Sequence, residues 1–554
     1  MPRTVKVAVV GSGLAGLTAA YLLKKPLQEA DVDFEVHVFE KASSIGMDSA
    51  SISVPMSGDQ EWRVDVPMRS FQGGYYTQLI ALYRSLGVDF RQKNFSYSFS
   101  DLSPERKVHQ RSITTSFIYN GASGRAGISK PSSLSPSPLQ KDPSTLLRHA
   151  WDIWTWLLYL GTALQVVFCY LITLYHALPF WRPRNIPDLT FRDWTSRAAP
   201  TSFIAKSVGM DTAWQDYIEM ILIPLVSAVC TSPEDVVMDH PVEEILDYVW
   251  LTLGTNHYVV VDGVCDVVAR LTADLHHIHL ASPILSIKPD PRDPGCATIS
   301  CSTDGELKEY GGFRHIVFAT QASGAVPILS SYSQSLDSDR ESRKQMIAKQ
   351  IECLKSFPYR KSIVINHFDD TLLPDNAQDV RDLNLLNLLK GAALSSPSDL
   401  QPSLPKFPNL CVSPTHTMAT HVLPRPKGFD GKKPRLFQTT NPIIPPKMDT
   451  ILSVATLERA VVNTESKKAL RLLCVAQRPK WYQCSYQAKT QLGELQGGKT
   501  DSDGSEAPGI WFCGSYAHLG IPLLEGCVIS ARTVVEEGIL RGECVRWKEE
   551  PWTT

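Results

Sequence analysis

The residues best suited to chemistry form a glycine-rich run near the start of the chain. Six consecutive residues read GxGxxG: Gly11, Ser12, Gly13, Leu14, Ala15 and Gly16. The run follows the β-branched stretch Val5–Val10 and opens a helical pattern over Leu14–Lys24. Glycines at these positions permit a tight turn, a close backbone approach to a pyrophosphate and close helix–strand packing. The free N–H groups and positive dipole of the helix N-terminus therefore predict a dinucleotide phosphate there.

An acidic residue follows at the spacing that a dinucleotide site requires. The stretch Phe34–Glu40 alternates like a second strand and ends in Glu40, 24 residues after Gly16. A carboxylate there can accept hydrogen bonds from both ribose hydroxyls and would repel a 2′-phosphate. One such unit does not indicate which dinucleotide binds.

A second strand–turn–helix pattern lies near the other end of the chain. Gly509–Tyr516 reads as a strand that ends in a glycine turn, and Gly520–Ala531 opens a helix. Its backbone N–H groups can face the phosphate of a flavin and its N1/C2=O edge. The residues predicted to contact a cofactor here are Gly514, Ser515, Glu525, Gly526, Cys527 and Val528.

The two ends together resemble the flavin-containing amine oxidase superfamily, which includes phytoene desaturases and protoporphyrinogen oxidases. The stretches that carry the resemblance are VAVVGSGLAGLTAAYLL…VHVFEKASSIG and WFCGSYAHLGIPLLEGCVISA. Internal stretches fit too, with Ile284–Ile287 similar to the strand that holds the adenine and His315–Thr320 similar to the return strand. The resemblance implies non-covalent FAD, with further contacts from Lys41, Gly46, Met68, Arg69 and Ile284.

A closer resemblance is to the amine-oxidase-like NAD/FAD-binding proteins often associated with cyclopropane fatty-acid synthases, and we expect a fungal branch of that group. It rests on Ile223–Ser232, Phe357–Pro374 and Thr439–Pro442. It spans most of the chain except 121–187 and the Ser/Pro-rich insertions.

Two departures from the family pattern affect the cofactor site. Gly46-Met47-Asp48-Ser49 stands where the family usually has Gly-Gly-Arg or Gly-Gly-His, and Arg69 can supply the missing positive charge. Ser515 replaces the glutamate with which many members bind the ribityl chain.

The resemblance implies that a substrate C–H lies against flavin N5 and leaves as hydride, with O₂ or another acceptor re-oxidising the flavin. Protein acid–base groups are optional in such a reaction. The catalytic candidates are Tyr75, Tyr76, Tyr516 and His518, and for each a packing role is an equal alternative.

The pattern of elements predicts an α/β fold with a discontinuous FAD-binding Rossmann-type domain and an inserted α+β substrate domain. The FAD-binding domain would comprise 1–78, 256–323 and 506–545. The substrate domain would comprise 79–255 and 324–505, with a Ser/Pro-rich linker over 121–146.

The stretch 153–181 contains no Asp, Glu, Lys or Arg and has Trp and Tyr at both ends. It is long enough to cross a bilayer, and a long buried helix is the alternative. A single crossing would separate parts of the same cofactor domain, and a second crossing that returned the chain would need a comparable uncharged run, which the sequence does not show elsewhere. We therefore expect monotopic insertion and a lipophilic substrate such as an acyl lipid, isoprenoid or polyketide.

Composition excludes other classes. The chain of 554 residues has 55 Lys and Arg against 57 Asp and Glu, so we expect no nucleic-acid partner. Its 12 Cys form no CxxC pair, and with no targeting signal visible the chain is expected to be intracellular. No metal site is predicted, because the histidines have no carboxylate or thiol partner at metal-ligand spacing, and we expect them on the surface: His276, His277, His279, His416 and His421.

Three function classes remain open. The first is an FAD-dependent oxidoreductase acting on a lipophilic molecule, with a true amine oxidase that releases peroxide as its enzymatic alternative. The second is a non-redox FAD protein, an isomerase or a scaffold. A nicotinamide dehydrogenase is disfavoured because only one GxGxxG is present and the C-terminal motif would have no use.

Overall fold

The structure, a computed structural model, describes residues 2–28, 31–56, 60–104, 111–134, 145–303, 305–388, 410–413, 415–426, 434–477, 489–498 and 506–553. The strands are β1 (Arg3–Val10), β2 (Val32–Phe39), β3 (Ile52–Pro55), β4 (Glu61–Val64), β5 (Phe71–Gln72), β6 (Phe90–Gln92), β7 (Tyr97–Pro104), β8 (Arg111–Tyr119), β9 (Ile128–Ser129), β10 (His257–Val260), β11 (His277–His279), β12 (Ile284–Pro289), β13 (Ala297–Thr303), β14 (Glu306–Phe318), β15 (Tyr359–His367), β16 (Leu383–Leu388), β17 (Met418–Val422), β18 (Phe437–Thr440), β19 (Ile451–Ala460), β20 (Cys474–Gln477), β21 (Lys489–Leu492) and β22 (Gly509–Phe512).

The helices are α1 (Leu14–Leu23), α2 (Thr77–Ser85), α3 (Thr145–Ala177), α4 (Phe191–Ala198), α5 (Phe203–Ser207), α6 (Met210–Tyr217), α7 (Ile223–Cys230), α8 (Glu234–Met238), α9 (Val242–Thr252), α10 (Gly263–Thr272), α11 (Ala322–Ser335), α12 (Glu341–Lys355), α13 (Thr464–Leu470) and α14 (Leu524–Thr533). Two π-helical segments, Ile218–Leu222 and Val534–Leu540, continue α6 into α7 and extend α14.

Seven strands form the sheet that carries both glycine motifs. The order is β11-β2-β1-β14-β13-β12, and β22 pairs with β14. β11, β2, β1, β14 and β22 are parallel, whereas β12 and β13 are antiparallel. The strands come from three separate parts of the chain, so the predicted α/β class with a discontinuous Rossmann-type unit is confirmed. The domain bounds stay predictions.

Helix α1 lies at the centre of this unit. All 10 of its residues are buried, because it packs against α14 and α10 as well as β2. A helix covered on every side needs no polar face, which explains its uniformly apolar sequence. One hydrophobic core lies on the α1 side of the sheet, and a second core, which contains α11 and α12, lies on the opposite side.

A second sheet has eight strands in the order β19-β15-β18-β17-β16-β7-β8-β9. All of its pairs are antiparallel except β7 and β16. Helix α7 packs against β16, and β10 joins β5 and β6 in a small antiparallel sheet. These elements form the walls of the cavity described below.

The predicted hydrophobic segment forms the long helix α3. Its C-terminal half contacts the body through the buried residues Cys169, Thr173 and Ala177, which are spaced four apart on one face. From His149 to Gly161 the helix is largely exposed, and within this range only Thr155 is fully covered. The alternative of a buried helix is therefore wrong for this range.

Among the residues that the structure describes, two helices are long and apolar enough to cross a membrane, on length and composition alone: His149–Ala177 and Met210–Cys230. Of their most apolar stretches, 11% and 50% are buried inside the protein. The second helix was not anticipated as a comparable apolar run. Half of it is covered, as expected for a helix in the protein interior.

The linker predicted over 121–146 is ordered where the structure describes it. β9 pairs with β8, and Ser132 donates through its N–H and hydroxyl to the carboxylate of Asp379. Serine side chains of this stretch also donate to backbone carbonyl oxygens elsewhere, Ser123 to Thr255 and Ser133 to Thr115, so the absence of an apolar pattern did not mean the absence of structure. Residues 135–144 and the insertion over 394–408 lie outside the described residues.

Candidate functional site

The first glycine motif lies at the carboxyl edge of the parallel strands. Gly11 has φ of +102°, and a Cβ on Gly16 would lie 2.0 Å from the carbonyl oxygen of Gly11. These two positions require glycine for the turn and for the close contact between strand and helix. Gly13 is different, because a Cβ there would meet nothing within 4 Å. The space in front of the α1 N-terminus is therefore open to a phosphate group.

Glu40 belongs to the same loop. Its Oε2 accepts hydrogen bonds from the N–H of Ser12 at 3.0 Å and from the Ser12 hydroxyl at 2.7 Å. The Ser12 oxygen in turn accepts the N–H of Gly46 at 2.8 Å, and Glu40 Oε1 accepts the N–H of Ala42 at 2.9 Å. The sequence did not anticipate this network. It fixes the carboxylate beside the glycine turn, where the ribose contact was predicted.

Two further residues were predicted to contact the cofactor on this side of the sheet, and only Ile284 is positioned to do so, whereas Lys41 points into solvent. The N–H groups of Ala281 and Ser282 donate to the carbonyl oxygens of Ala42 and Glu40, each at 2.8 Å. This pairing brings the start of β12, and so Ile284, next to the end of β2. Lys41 is fully exposed and has no hydrogen bond or ion pair among the described residues.

The C-terminal motif reaches the same edge through β22. The N–H of Gly514 donates to the Ser530 hydroxyl at 2.9 Å, which ties the turn to α14. A Cβ on Gly526 would lie 3.0 Å from the Ser515 carbonyl oxygen, so the helix N-terminus approaches the turn closely. Val528 is 0% exposed and packs in the core with α1. Val528 therefore supports the site from the core and does not face a ligand.

Glu525 was predicted as a cofactor contact, but its carboxylate points elsewhere. It accepts the N–H of Gln78 at 2.8 Å and of Leu79 at 2.9 Å, and the Thr77 hydroxyl lies 3.3 Å away. Glu525 thus binds the free N–H groups at the N-terminus of α2. Burial raises its pKa to about 7. Its role is to fix α14 against α2.

Next to these motifs lies a cavity of about 260 Å³. It contains the predicted residues Met68, Arg69, Ser515 and Cys527 and extends between α7, α9 and the eight-stranded sheet. Its more distant walls are largely apolar, formed by residues that include Phe95, Tyr97, Leu225, Ala228, Leu383 and Ala419. The C-terminal motif therefore forms one end of a space whose other end can hold an apolar molecule.

Arg69 stands between the cavity and the loop that lacks the family's arginine. Its Nη2 donates to the carbonyl oxygen of Met47 at 2.9 Å, whereas its buried Nε has no hydrogen-bond partner. Met68 is held from the second sheet, since its N–H donates to Gln438 Oε1 at 2.5 Å. An unpartnered guanidinium N–H beside an open glycine loop fits a phosphate-bearing cofactor.

Only one of the four catalytic candidates lines this cavity, and it is Tyr76. Tyr75 donates to the Ile521 carbonyl oxygen at 3.1 Å and packs on Tyr248. Tyr516 points to the opposite side of the sheet, where its ring lies 5.1 Å from that of Phe357. The turn after β22 thus places Tyr516 in the second core and not in the cavity wall.

His518 packs against α14, because a Cβ added to Gly526 would lie 3.3 Å from the Cβ of His518. Burial lowers the pKa of His518 to about 4, so the imidazole is neutral. It is not among the residues that line the cavity. The structure gives it a packing position.

Several polar cavity residues were missed by the sequence reading. Arg459 on β19 lines the cavity, and its buried Nε has no hydrogen-bond partner. His257 and His421 flank the ring of Phe95, with unpartnered Nδ1 atoms and pKa values that burial lowers to about 4. For Arg459, the one available signal in the sequence was a charged residue on the inward face of the long strand β19.

A histidine cluster lies on the seven-stranded sheet, away from the cavity residues. His37 Nε2 is 2.8 Å from Glu35 Oε1, its Nδ1 is 3.1 Å from His279, and its ring stacks on that of His277. The expectation that these histidines lack a carboxylate neighbour is wrong, and His279 is half-buried. The carboxylate of Glu35 also pairs with Lys6 at 3.1 Å. The ligand atoms of Glu35, His37 and His277 lie within 4.8 Å of one another. The positive charge of Lys6 next to them would nevertheless repel a metal ion.

His276 and His277 are exposed, as expected, whereas the remaining pair is not on the surface. His416 is 8% exposed and His421 is half-buried in the cavity wall. The cysteines that the structure describes are free thiols. Cys527 faces the cavity, and burial raises its pKa to about 11 although Arg69 and Arg459 oppose that effect.

Comparisons with known proteins support the N-terminal unit. The family described as "NAD(P)-binding Rossmann-like domain" matches residues 9–86. That range contains the glycine loop, Glu40, Arg69 and Tyr76. No curated protein matches the chain.

Among solved structures, a putrescine oxidase bound to putrescine matches with 13% identity and a TM-score of 0.45, over 96% of this chain and 98% of that chain. A CLA-producing fatty acid isomerase from P. acnes matches with 14% identity and a TM-score of 0.46, over 96% of this chain and 97% of that one. Similarity at this level transfers neither ligand nor activity, so the function is argued from the residues of this chain.

Proposed function

We propose that this protein is an FAD-dependent oxidoreductase that removes hydride from a lipophilic small molecule. The observation that carries the proposal is the meeting of two glycine motifs at one sheet edge, with the second motif opening into a partly apolar cavity. In open α/β sheets ligands bind outside the carboxyl ends of the strands. A nicotinamide cofactor alone would leave the second motif without a use.

Residues on both motifs would hold the cofactor without a covalent bond. The α1 N-terminus beside Gly13 is open to the pyrophosphate, Glu40 is positioned for the ribose, and Arg69 offers an unpartnered N–H. The α14 N-terminus and Ser515 lie where the flavin ring is proposed to bind. FAD, when bound, would supply the acceptor for the hydride, with O₂ or another acceptor completing the cycle.

The protein's own contribution would be orientation and exclusion of water. Tyr76 is 6% exposed in the cavity wall, and burial raises its pKa well above its ordinary value. The pKa values of His257 and His421 are lowered to about 4, so both imidazoles are neutral at physiological pH. These side chains can therefore orient a substrate by hydrogen bonds without carrying charge. Hydride loss needs no protein base, which suits such a site.

We further propose that the protein associates with a membrane surface from one side. Helix α3 presents Trp151, Trp154 and Leu157 in its exposed N-terminal half and Leu164 just beyond it, each more than half exposed. A single crossing is excluded because β2, which precedes α3, pairs with β11, which follows it. The more specific relationship to a fungal, cyclopropane-synthase-associated group and an intracellular location stay predictions.

The visible spectrum of the purified protein is the test, recorded before and after anaerobic mixing with a detergent-solubilised lipid extract. We expect flavin absorption bands that bleach on mixing. Bands that never bleach in extracts from several sources would favour the non-redox alternative. Peroxide formed only with amines would favour the amine oxidase, and a colourless protein after reconstitution with FAD would contradict the proposal.

A further inference from the structure

Two arginine side chains without carboxylate partners line the same cavity. Among the described residues, neither Arg69 nor Arg459 has a carboxylate oxygen within 4 Å, and the Nε of each is buried without a hydrogen-bond partner. Asp65, the acidic residue that interacts with Arg69 over a longer distance, is already engaged by the Val264 N–H at 3.0 Å. Buried positive charge without a counter-charge is costly unless a ligand supplies the anion.

The two guanidinium groups are close enough to affect each other. Burial and the charge of Arg69 lower the pKa of Arg459 to about 10. Both arginines also lower the pKa of the Cys527 thiol, which places them around the N-terminus of α14. Two like charges around a helix N-terminus form a strongly positive end to the cavity.

The two arginines are fixed by different parts of the fold. Arg69 donates to Met47 in the loop that follows Glu40, and so it belongs to the cofactor side. Arg459 lies on β19 of the eight-stranded sheet, which forms the substrate side together with Leu383 and Ala419. Arg459 is therefore held by the substrate side of the cavity, although its charge acts on the N-terminus of α14.

We propose that Arg459 is the anion subsite for the substrate, and that the substrate is an amphipathic carboxylate whose apolar tail occupies the cavity around Phe95, Leu225 and Ala228. This deepens the proposed function and rests on it. A guanidinium binds a carboxylate through paired N–H donors. The positive charge of Arg459 repels a protonated amine, so amines are poor substrates.

The test measures binding of three ligands with one chain and different head groups: dodecanoate, dodecanol and dodecylamine. Titration calorimetry on the full-length protein should give the tightest binding for dodecanoate and the weakest for dodecylamine. In Arg459→Gln, dodecanoate should bind about 10- to 100-fold more weakly, down to the level of dodecanol, with dodecanol unchanged. Arg459→Lys should retain part of the preference.

The matched control is Lys361→Gln. Lys361 is an exposed cation on the same strand, β15, but it pairs with Glu458 and so lies on the other face of the sheet from Arg459, and its loss should change none of the three affinities. Equal weakening of all three ligands in Arg459→Gln would indicate a structural role and overturn the proposal. A drop in flavin content with the carboxylate preference intact would assign Arg459 to the cofactor and also overturn it.

The two proposals can fail separately. A yellow protein with no carboxylate preference would contradict the anion subsite and leave the oxidoreductase proposal standing. A protein that never takes up FAD but still prefers dodecanoate in an Arg459-dependent manner would contradict the oxidoreductase and support the subsite.

Discussion

Gly13 separates the chemical role of the glycine loop from its structural role. Adding a Cβ at this position meets no protein atom, so Gly13→Ala should fold normally. The methyl group would occupy the space that we assign to phosphate, and loss of a charge-assisted contact should weaken flavin binding on the order of tenfold or more. The measurement is the ratio of flavin to protein absorbance after dialysis against limiting FAD.

Gly161→Ala is the matched control, because it also adds a Cβ in open space, but on α3. It should keep the wild-type flavin ratio. Equal flavin loss in both variants, or none in Gly13→Ala, would argue against a phosphate site at the α1 N-terminus.

Cys527 tests the non-covalent character of the cofactor. Its thiol faces the cavity, but a pKa of about 11 leaves it protonated at neutral pH and poorly nucleophilic. Acid precipitation should therefore release all flavin into the supernatant. A yellow pellet that becomes colourless in Cys527→Ala would identify a covalent bond to this residue.

The contact between α14 and α2 depends on Glu525, and its titration should appear in the stability of the protein. Its pKa is raised from an ordinary 4.5 to about 7 in the folded state. The unfolded chain then loses this proton near pH 4.5 and the folded chain retains it until about pH 7. The free energy of unfolding must therefore fall as pH rises through this range.

The change is measured against Glu525→Gln, which cannot titrate. From pH 5 to pH 8 the wild type should lose stability relative to this variant, by on the order of 3 kcal/mol at most. Urea unfolding at both pH values gives the difference. The exposed Glu537→Gln, on the extension of α14, serves as control and should follow the wild type. A difference between wild type and Glu525→Gln that stays constant from pH 5 to pH 8 would mean that the pKa is not raised and that Glu525 is ionised throughout, which would contradict the prediction.

At the scale of the whole molecule, two apolar surfaces project from the same helical region. Besides α3, the short helix α5 exposes Phe203 and Ile204 at 86% and 76%. α5 packs against α6, and α6 packs against α3. The same region continues into α7, which lines the cavity. A lipid surface on these helices would lie next to the wall of the proposed substrate site.

Leu157→Lys combined with Leu164→Lys should remove membrane binding. The two side chains lie on one face of α3, and losing the burial of two leucines should reduce liposome co-sedimentation more than tenfold. Leu307→Lys is the control, since Leu307 is 64% exposed against 63% for Leu164 but lies on β14. Binding of the double variant to phosphatidylcholine vesicles at the wild-type level would contradict a membrane role for α3.

Much of the fold was determined by local sequence. The strand–turn–helix around Gly11 follows from a β-branched run, a glycine at positive φ and a helix start within a few residues, and such signals need no distant partner. The long helix α3 likewise follows from an uninterrupted apolar composition. Whether α3 is exposed or buried, however, depends on how much of the rest of the protein packs against it, and the sequence left both possibilities open.

The tertiary structure decided which side chains share the site. Tyr76 and Tyr516 were equal candidates by sequence, but Tyr516 packs on Phe357 on the other side of the sheet. Glu525 and Leu79 are 446 residues apart, so no local pattern could reveal that this carboxylate binds α2. Arg69 and Arg459 line one cavity only because the loop before β5 packs against the eight-stranded sheet. Local residue patterns were enough to predict the helices and strands and the class of cofactor that they suggest. The charge and shape of the site came from contacts between distant residues, because charge and shape depend on packing and not on spacing along the chain.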